Sequence, residues 1–198
     1  LEVENDSTPE LNEFLLQHFK LTELDLYKAN GPVNLNRLDQ LRELVDAPTL
    51  RYAPFVPACP LDLSEQSIFE ATTEQDILLH HPYQAFSPVL EFLRQSARDH
   101  DVLAIKMTLY RTQPDSEPVV TLMEAARSGK EVAVVIELRA RFDEATNIDL
   151  ANKLQDAGVK VSYGVVGYKT HAKILLVVRK EDGQLKRYGH LGTGNYHP

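Results

Sequence analysis

Five consecutive segments alternate between two hydrophobic periods, and this alternation restricts the fold more than any other feature. "DVLAIKMTLYR", "EVAVVIELRARF" and "VKVSYGVV" are strand-like apolar runs. "SEPVVTLMEAARSG" and "TNIDLANKLQDAG", between them, carry apolar residues at helical spacing. Gly129 and Gly158 stand where these helices should stop, and Thr146 with Asp149 has the spacing of a capping box. Strand–helix–strand–helix–strand order predicts an α/β unit built on a parallel sheet. A helix over "SPVLEFLRQSARD" precedes it, with Ser87 as the expected cap and Pro88 in the first turn.

The stretch that follows breaks the alternation. In "HAKILLVVRKEDGQLKRYGHLGTGN" two strand-like runs flank Asp182 and Gly183, a strong hairpin signal. A two-residue turn there sets Lys173 opposite Gly192 and His171 opposite Gly194. The strand period of two then puts His171, Lys173, Leu175 and Val177 on one face. Ala172, Ile174, Leu176 and Val178 occupy the other face and are expected to fill the core. His190, opposite Leu175, shares the face of His171 and lies roughly 13 Å up the strand from it. The expected architecture is therefore βαβαβ plus an antiparallel hairpin.

Residues 1–57 read differently. "STPELNEFLLQHF" offers Ser7 or Thr8 as a cap, Pro9 in the first turn and Leu11, Phe14, Leu15 and Phe19 along one helix face. "LTELDLYKA" reads as a short strand, and "NLNRLDQLRELV" as a helix capped by Asn34. Four prolines in "DAPTLRYAPFVPACP" mark a linker. Two parts follow: 1–57, a small, mostly helical segment that ends a preceding domain, and 58–198, the α/β domain. The abrupt stop after "GTGNYHP" suggests a piece of something longer.

Charge narrows the partners. The net charge is -8 and the pI near 5.4, so a generally basic surface for nucleic acid is not expected. An anion needs a local basic cluster instead. Cys59, the single cysteine, forms no internal disulfide, sits among prolines without a basic neighbour and fits a reducing compartment. No apolar run approaches the ~20 residues of a membrane span, and no signal peptide is visible. Adjacent His80 and His81, read on a strand, point to opposite faces and make a poor metal pair. His18 and His100 read as ordinary surface or boundary residues, and no Walker-type loop is present.

A lone His-x-Lys is ordinarily a strand cap followed by a snorkelling lysine. Here Lys173 faces Gly192 and His171 faces Gly194, glycines that leave room for a ligand against the backbone, with Asn195 next in sequence. A neutral imidazole can attack phosphorus, a lysine two residues on reaches the bound phosphate, and Asn195 can hydrogen-bond its oxygens. Arg111 ends one strand, and Arg139 and Arg141 end the next beside Glu137. Ligands of open α/β sheets gather at these carboxyl ends, and guanidinium forks suit phosphate oxygens. Surface ion pairs with Asp115, Asp143 or Glu144 are the ordinary alternative. Lys106, mid-strand, also asks for a partner.

"DILLHHPYQAF", "VLAIKMTLYRT", "ELRARFDEATNI", "YKTHAKILLVVRK" and "RYGHLGTGNY", in this order, together resemble the bacterial polyphosphate kinases of the large type-1 class. "GPVNLNRL" upstream is similar to the same family. The resemblance implies a phospholipase D-like fold. It implies reversible transfer of the terminal phosphate of ATP to polyphosphate through a phosphohistidine at His171, with Mg²⁺ as cofactor. By the same resemblance His190 is needed for activity, Lys173 steadies transition-state charge, and Arg111 and Arg141 match positions assigned to magnesium. A guanidinium has no lone pair for a metal, so the two arginines are read as gripping the phosphates that carry the ion. ATP or ADP and polyphosphate are the implied partners. The resemblance further implies a homo-oligomer and a cytoplasmic location, with peripheral membrane association. Val178 stands where phospholipases carry an aspartate, a departure the kinases share. The resemblance also implies an amino-terminal domain and a second phospholipase-like half beyond these residues, so the chain alone would hold half an active site. Two other readings compete: a non-catalytic fragment that binds polyphosphate or nucleotide, and a phospholipase D-type phosphodiesterase.

Overall fold

The structure, a computed structural model, describes residues 1–59, 66–110, 112–137, 144–164 and 167–196. The chain divides into two compact units, Leu1–Pro54 and Phe55–Pro198.

In the first unit a short strand β1 (Glu2–Glu4) pairs in parallel with β2 (Tyr27–Ala29). Helix α1 (Pro9–Phe19) connects them. It starts as expected, with Thr8 accepting from the Leu11 amide and Pro9 in the first turn. "LTELDLYKA" is only partly strand, because a 3₁₀ turn at Glu23–Asp25 precedes β2. The helix expected over "NLNRLDQLRELV" is mostly a 3₁₀ turn, Leu35–Gln40, with one α turn, α2 (Leu41–Leu44), after it. Two features explain this. Asn34 has φ 57°, left-handed and unsuited to capping. Leucines at 35, 38, 41 and 44 repeat every three residues, the period of a 3₁₀ helix and not of an α-helix. All four are exposed.

The second unit holds a five-stranded sheet. In chain order come α3 (Ile68–Glu74), α4 (Ser87–Arg98), β3 (Val102–Leu109), α5 (Glu117–Arg127), β4 (Glu131–Ile136), α6 (Glu144–Asp156), β5 (Lys160–Tyr163), β6 (Lys173–Glu181) and β7 (Gln184–Gly192). The strand order is β5-β4-β3-β6-β7. β3, β4 and β5 are parallel, while β6 runs antiparallel to β3 and β7. The α/β alternation and the hairpin are both as read from the sequence. The turn at Asp182 and Gly183 has φ of 49° and 78°, the left-handed pair that such a hairpin demands. Lys173 pairs with Gly192 and Leu175 with His190.

Several local expectations change. Ser87 lies inside α4, whose cap position is Phe86. Thr146 lies inside α6, which already begins at Glu144. His80 and His81 are not on a strand: they enter a turn where the His81 ring packs on Phe86, 5.4 Å between centroids. α3 was not anticipated, although Ser67 and Glu70 form its capping box.

The core reverses one prediction. Leu175 and Val177 are fully buried, whereas Ile174, Leu176 and Val178 are only half-buried. The register explains it. Leu175 pairs with Met107 and Val177 with Ile105, and those rows meet Val119, Leu122, Leu150, Leu154, Phe69 and Phe92 of the four helices in one cluster. The face of His171 and Lys173 is therefore the face the helices cover. At its far end Glu181 accepts from Arg179 (2.7 Å), Tyr188 (2.5 Å) and Lys186 (2.6 Å), and Tyr188 also meets Thr73 of α3 (3.3 Å). These bonds hold the Glu181 carboxyl down to about 2, well under the usual carboxylate range.

Candidate active site

Because β6 runs against β3, its first residues lie beside the last residues of β3. The carboxyl ends of β3, β4 and β5 and the start of β6 thus share one edge, where ligands of open α/β sheets collect. His171 precedes β6 by two residues and is exposed. Its ring packs edge-on against Tyr110, at 5.5 Å and 70°. Lys173 is only 4% exposed. Its ammonium donates to the His171 carbonyl at 2.7 Å and lies 5.0 Å from the centre of the Tyr110 ring. A buried ammonium needs such partners, so this lysine does not snorkel to water.

Two side chains fix the backbone that carries His171. Thr108 donates to the Ala172 carbonyl at 2.7 Å and accepts from the Ile174 amide at 3.0 Å. It continues the ladder by side chain where the main chains of β3 and β6 part after Met107 and Leu175. Glu137, 3% exposed, accepts from the Thr170 amide at 2.6 Å, one residue before His171. Its own carbonyl accepts from Asn147 of α6 at 3.2 Å.

His190 stands on the same face, half-buried. Burial first, and the charge of nearby His81 second, push its pKa below the usual histidine value. Nδ1 lies 3.0 Å from the Tyr196 hydroxyl, and the two rings meet at 5.5 Å and 62°. The ring leans over Gly192: a Cβ there would stand 3.1 Å from Cε1 of His190. Since Gly192 pairs with Lys173, His190 points down the hairpin toward the His171 end. Its other side lines a groove of about 430 Å³ between α3, α4 and β7, flanked by Asp76 and Arg187.

The structure thus brings His171 and Lys173 together and puts His190 on their face. Asn195 lies half-buried in the bend after β7. Lys106 is not gathered in. It pairs with Leu176, on the opposite face of the sheet, and is exposed. Arg111, Arg139 and Arg141 lie outside the described residues. Sequence reasoning does not single out Tyr110 and Tyr196, although both belong to quoted motifs: "TLYRT" contains and "GTGNY" ends in a tyrosine that packs on His171 or His190. Among the described residues no three His, Cys, Asp or Glu side chains group to hold a metal, and no helix is long and apolar enough to cross a membrane.

Residues 67–198 match the family model described as "Polyphosphate kinase C-terminal domain 1". Over the whole chain, the sequence is 54% identical to a polyphosphate kinase of Pseudomonas aeruginosa and covers 29% of that protein. It is 57% identical over 197 residues to one of Xylella fastidiosa, again over 100% of this chain and 28% of the relative. The crystal structure of polyphosphate kinase from Porphyromonas gingivalis superimposes at a TM-score of 0.77 and 26% identity, covering 100% of this chain and 30% of that one. The chain therefore spans under a third of the length of the relatives it matches. Its α/β architecture is that of the corresponding segment.

Proposed function

The chain belongs to the polyphosphate kinase family, and from that premise we propose that it forms one wall of an enzyme that moves the terminal phosphate of ATP reversibly onto polyphosphate through a phosphohistidine at His171. One observation carries the reading: His171 is the exposed imidazole at the carboxyl edge of the sheet, with a buried ammonium bound to its own carbonyl. A ring nitrogen of neutral His171 attacks the γ-phosphorus. The P–N bond forms as the bond to the bridging oxygen breaks, and ADP leaves with that oxygen's electron pair. A terminal oxygen of polyphosphate then attacks the same phosphorus and the P–N bond breaks, returning neutral His171. Lys173 commits one of its three N–H groups to His171, leaving two for phosphoryl oxygens as charge builds. His190 serves the same phosphates from further up the face.

Magnesium prefers oxygen ligands, and the arginines assigned to it by resemblance, Arg111 and Arg141, cannot coordinate it. They do not fit a protein-held site, so the ion is expected to arrive already bound to the nucleotide's phosphates, whose charge it neutralises. In the same reading Arg139 and Asn195 contact phosphate, residues 1–57 close a preceding domain, and 58–198 form the first catalytic half. The unit boundary between Pro54 and Phe55 supports that division. A cytoplasmic homo-oligomer with peripheral membrane contact completes the proposal. A phosphodiesterase is disfavoured by Val178, which is half-buried and apolar where an aspartate would be needed.

The test uses the full-length protein. It is incubated with γ-labelled ATP and magnesium, quenched in alkali and assayed for acid-labile label. Label that disappears in His171→Ala supports the mechanism; absence of label from the full-length wild type sinks it.

A further inference from the structure

Tyr196 ends the motif "GTGNY" and has no part in the reading above. After Gly192 the chain bends back, and Tyr196 returns into the core at 2% exposure, against His190 and Phe86. Its hydroxyl has His190 Nδ1 as its only hydrogen-bond partner among the described residues. A buried hydroxyl whose proton finds no acceptor costs free energy. If Nδ1 carried the hydrogen, Tyr196 could only accept from it, and the phenolic proton would be stranded. If Nδ1 is bare, the phenol donates to it and the buried hydroxyl keeps its proton bonded.

From this we infer that Tyr196 is a positioning residue that locks His190 in the neutral tautomer bearing its hydrogen on Nε2. The lock makes His190 a hydrogen-bond donor and not a phosphate carrier. Nε2 lies beside Gly192, 3.7 Å from where a Cβ would stand there, and so faces the Lys173 end of the strand. An N–H aimed that way can grip a phosphoryl oxygen. A nucleophile would need a bare nitrogen there, and the bare nitrogen is the one turned to Tyr196. Two further facts agree. Burial holds the phenol's pKa above its usual value, so it keeps its proton across the working range. Burial and His81 hold the imidazole below its usual value, which keeps it neutral. The role as donor rests on the kinase reading; the tautomer does not.

The experiment reads the tautomer directly. Full-length protein labelled with ¹⁵N-histidine is examined by magic-angle-spinning NMR at neutral pH, with the His190 resonances assigned by their loss in His190→Gln. The expected wild-type result is a protonated Nε2 and a bare, hydrogen-bonded Nδ1. Tyr196→Phe, which keeps the ring and removes only the hydroxyl, should convert this to a mixture and lower kcat about 10-fold, with KM little changed. A wild-type Nδ1–H tautomer, or a tautomer unaltered in Tyr196→Phe, overturns the inference even where acid-labile label forms normally. Loss of the label in the wild type would instead strike the kinase reading and leave the tautomer assignment standing.

Discussion

Gly192→Ala is the sharpest test of the site's geometry. Gly192 is an ordinary strand residue, so alanine is not strained there; filling a strand glycine stabilises by about 0.5–1 kcal/mol. The new Cβ, however, would stand 3.1 Å from Cε1 of His190. Comfortable carbon contacts begin at about 3.5 Å, so the imidazole has to retreat by about half an ångström. That is enough to stretch its 3.0 Å bond to Tyr196 out of good hydrogen-bond range. A 1 Å misplacement near a reacting group can cost about 100-fold, so half that suggests about 10-fold in kcat. Gly189 supplies the control. It lies in the same strand, but a Cβ there meets only the Leu175 carbonyl at 3.8 Å, an ordinary contact. The assay compares ATP-dependent polyphosphate synthesis and the thermal midpoint for wild type, Gly192→Ala and Gly189→Ala in the full-length protein. Gly192→Ala should lose activity at nearly unchanged stability, and Gly189→Ala should lose neither. Equal activity in all three, or equal loss in both variants, would refute the placement of His190 over Gly192.

Lys173→Gln removes the buried ammonium while keeping a donor for the His171 carbonyl. It should lower kcat at least 100-fold in the same assay, as loss of transition-state charge stabilisation does, with a correctly folded circular-dichroism spectrum. Leu175→Ala empties a fully buried position between Met107 and His190 and should cost about 2–5 kcal/mol in urea unfolding. Glu181→Gln tests the ionic cluster by its pH dependence. The folded carboxyl sits at about 2 against an ordinary 4.5. Its stabilisation is therefore present above pH 4.5 and disappears as pH falls toward 2. Lys186 is half-exposed and screened, so the expected loss is about 1–2 kcal/mol at pH 7, shrinking toward nothing by pH 2. A constant difference from pH 7 to pH 2 would show that the charge is not the source.

The strand–helix alternation and the hairpin register were legible because both are local: periods of two and 3.6 and a two-residue turn decide them. What required the third dimension was which face of β6 is covered. Leu175 and Val177 on one side and Leu176 and Val178 on the other are equally apolar, and only the pairing with Ile105 and Met107 separates them. The leucines at 35–44 were legible in principle, since a spacing of three is the 3₁₀ period, but an apolar repeat near four invites the α reading. His171 and Lys173 stood out as polar groups opening an apolar strand. Tyr110 and Tyr196 did not, because a tyrosine carries no charge to mark it; both are packed, and their ring contacts with His171 and His190 show only in three dimensions. Lys106 stood out for the same reason as Lys173, yet parity with Leu176 puts it on the other side of the sheet.

One column of side chains runs the length of the hairpin on a single face: Glu181 and Lys186, then Tyr188, His190 and finally Gly192 beside Lys173. The turn at Asp182 and Gly183 therefore works as a ruler. Its zero mark is pinned by the ion cluster, and its working end lies roughly 26 Å away, eight residue steps along the strand. Because parity decides the face, one residue inserted at the tip would carry His190 through the sheet to the side of Lys106 while leaving the sequence of both strands unaltered. The side chains that meet at this edge are thus positioned by a turn eight residues away.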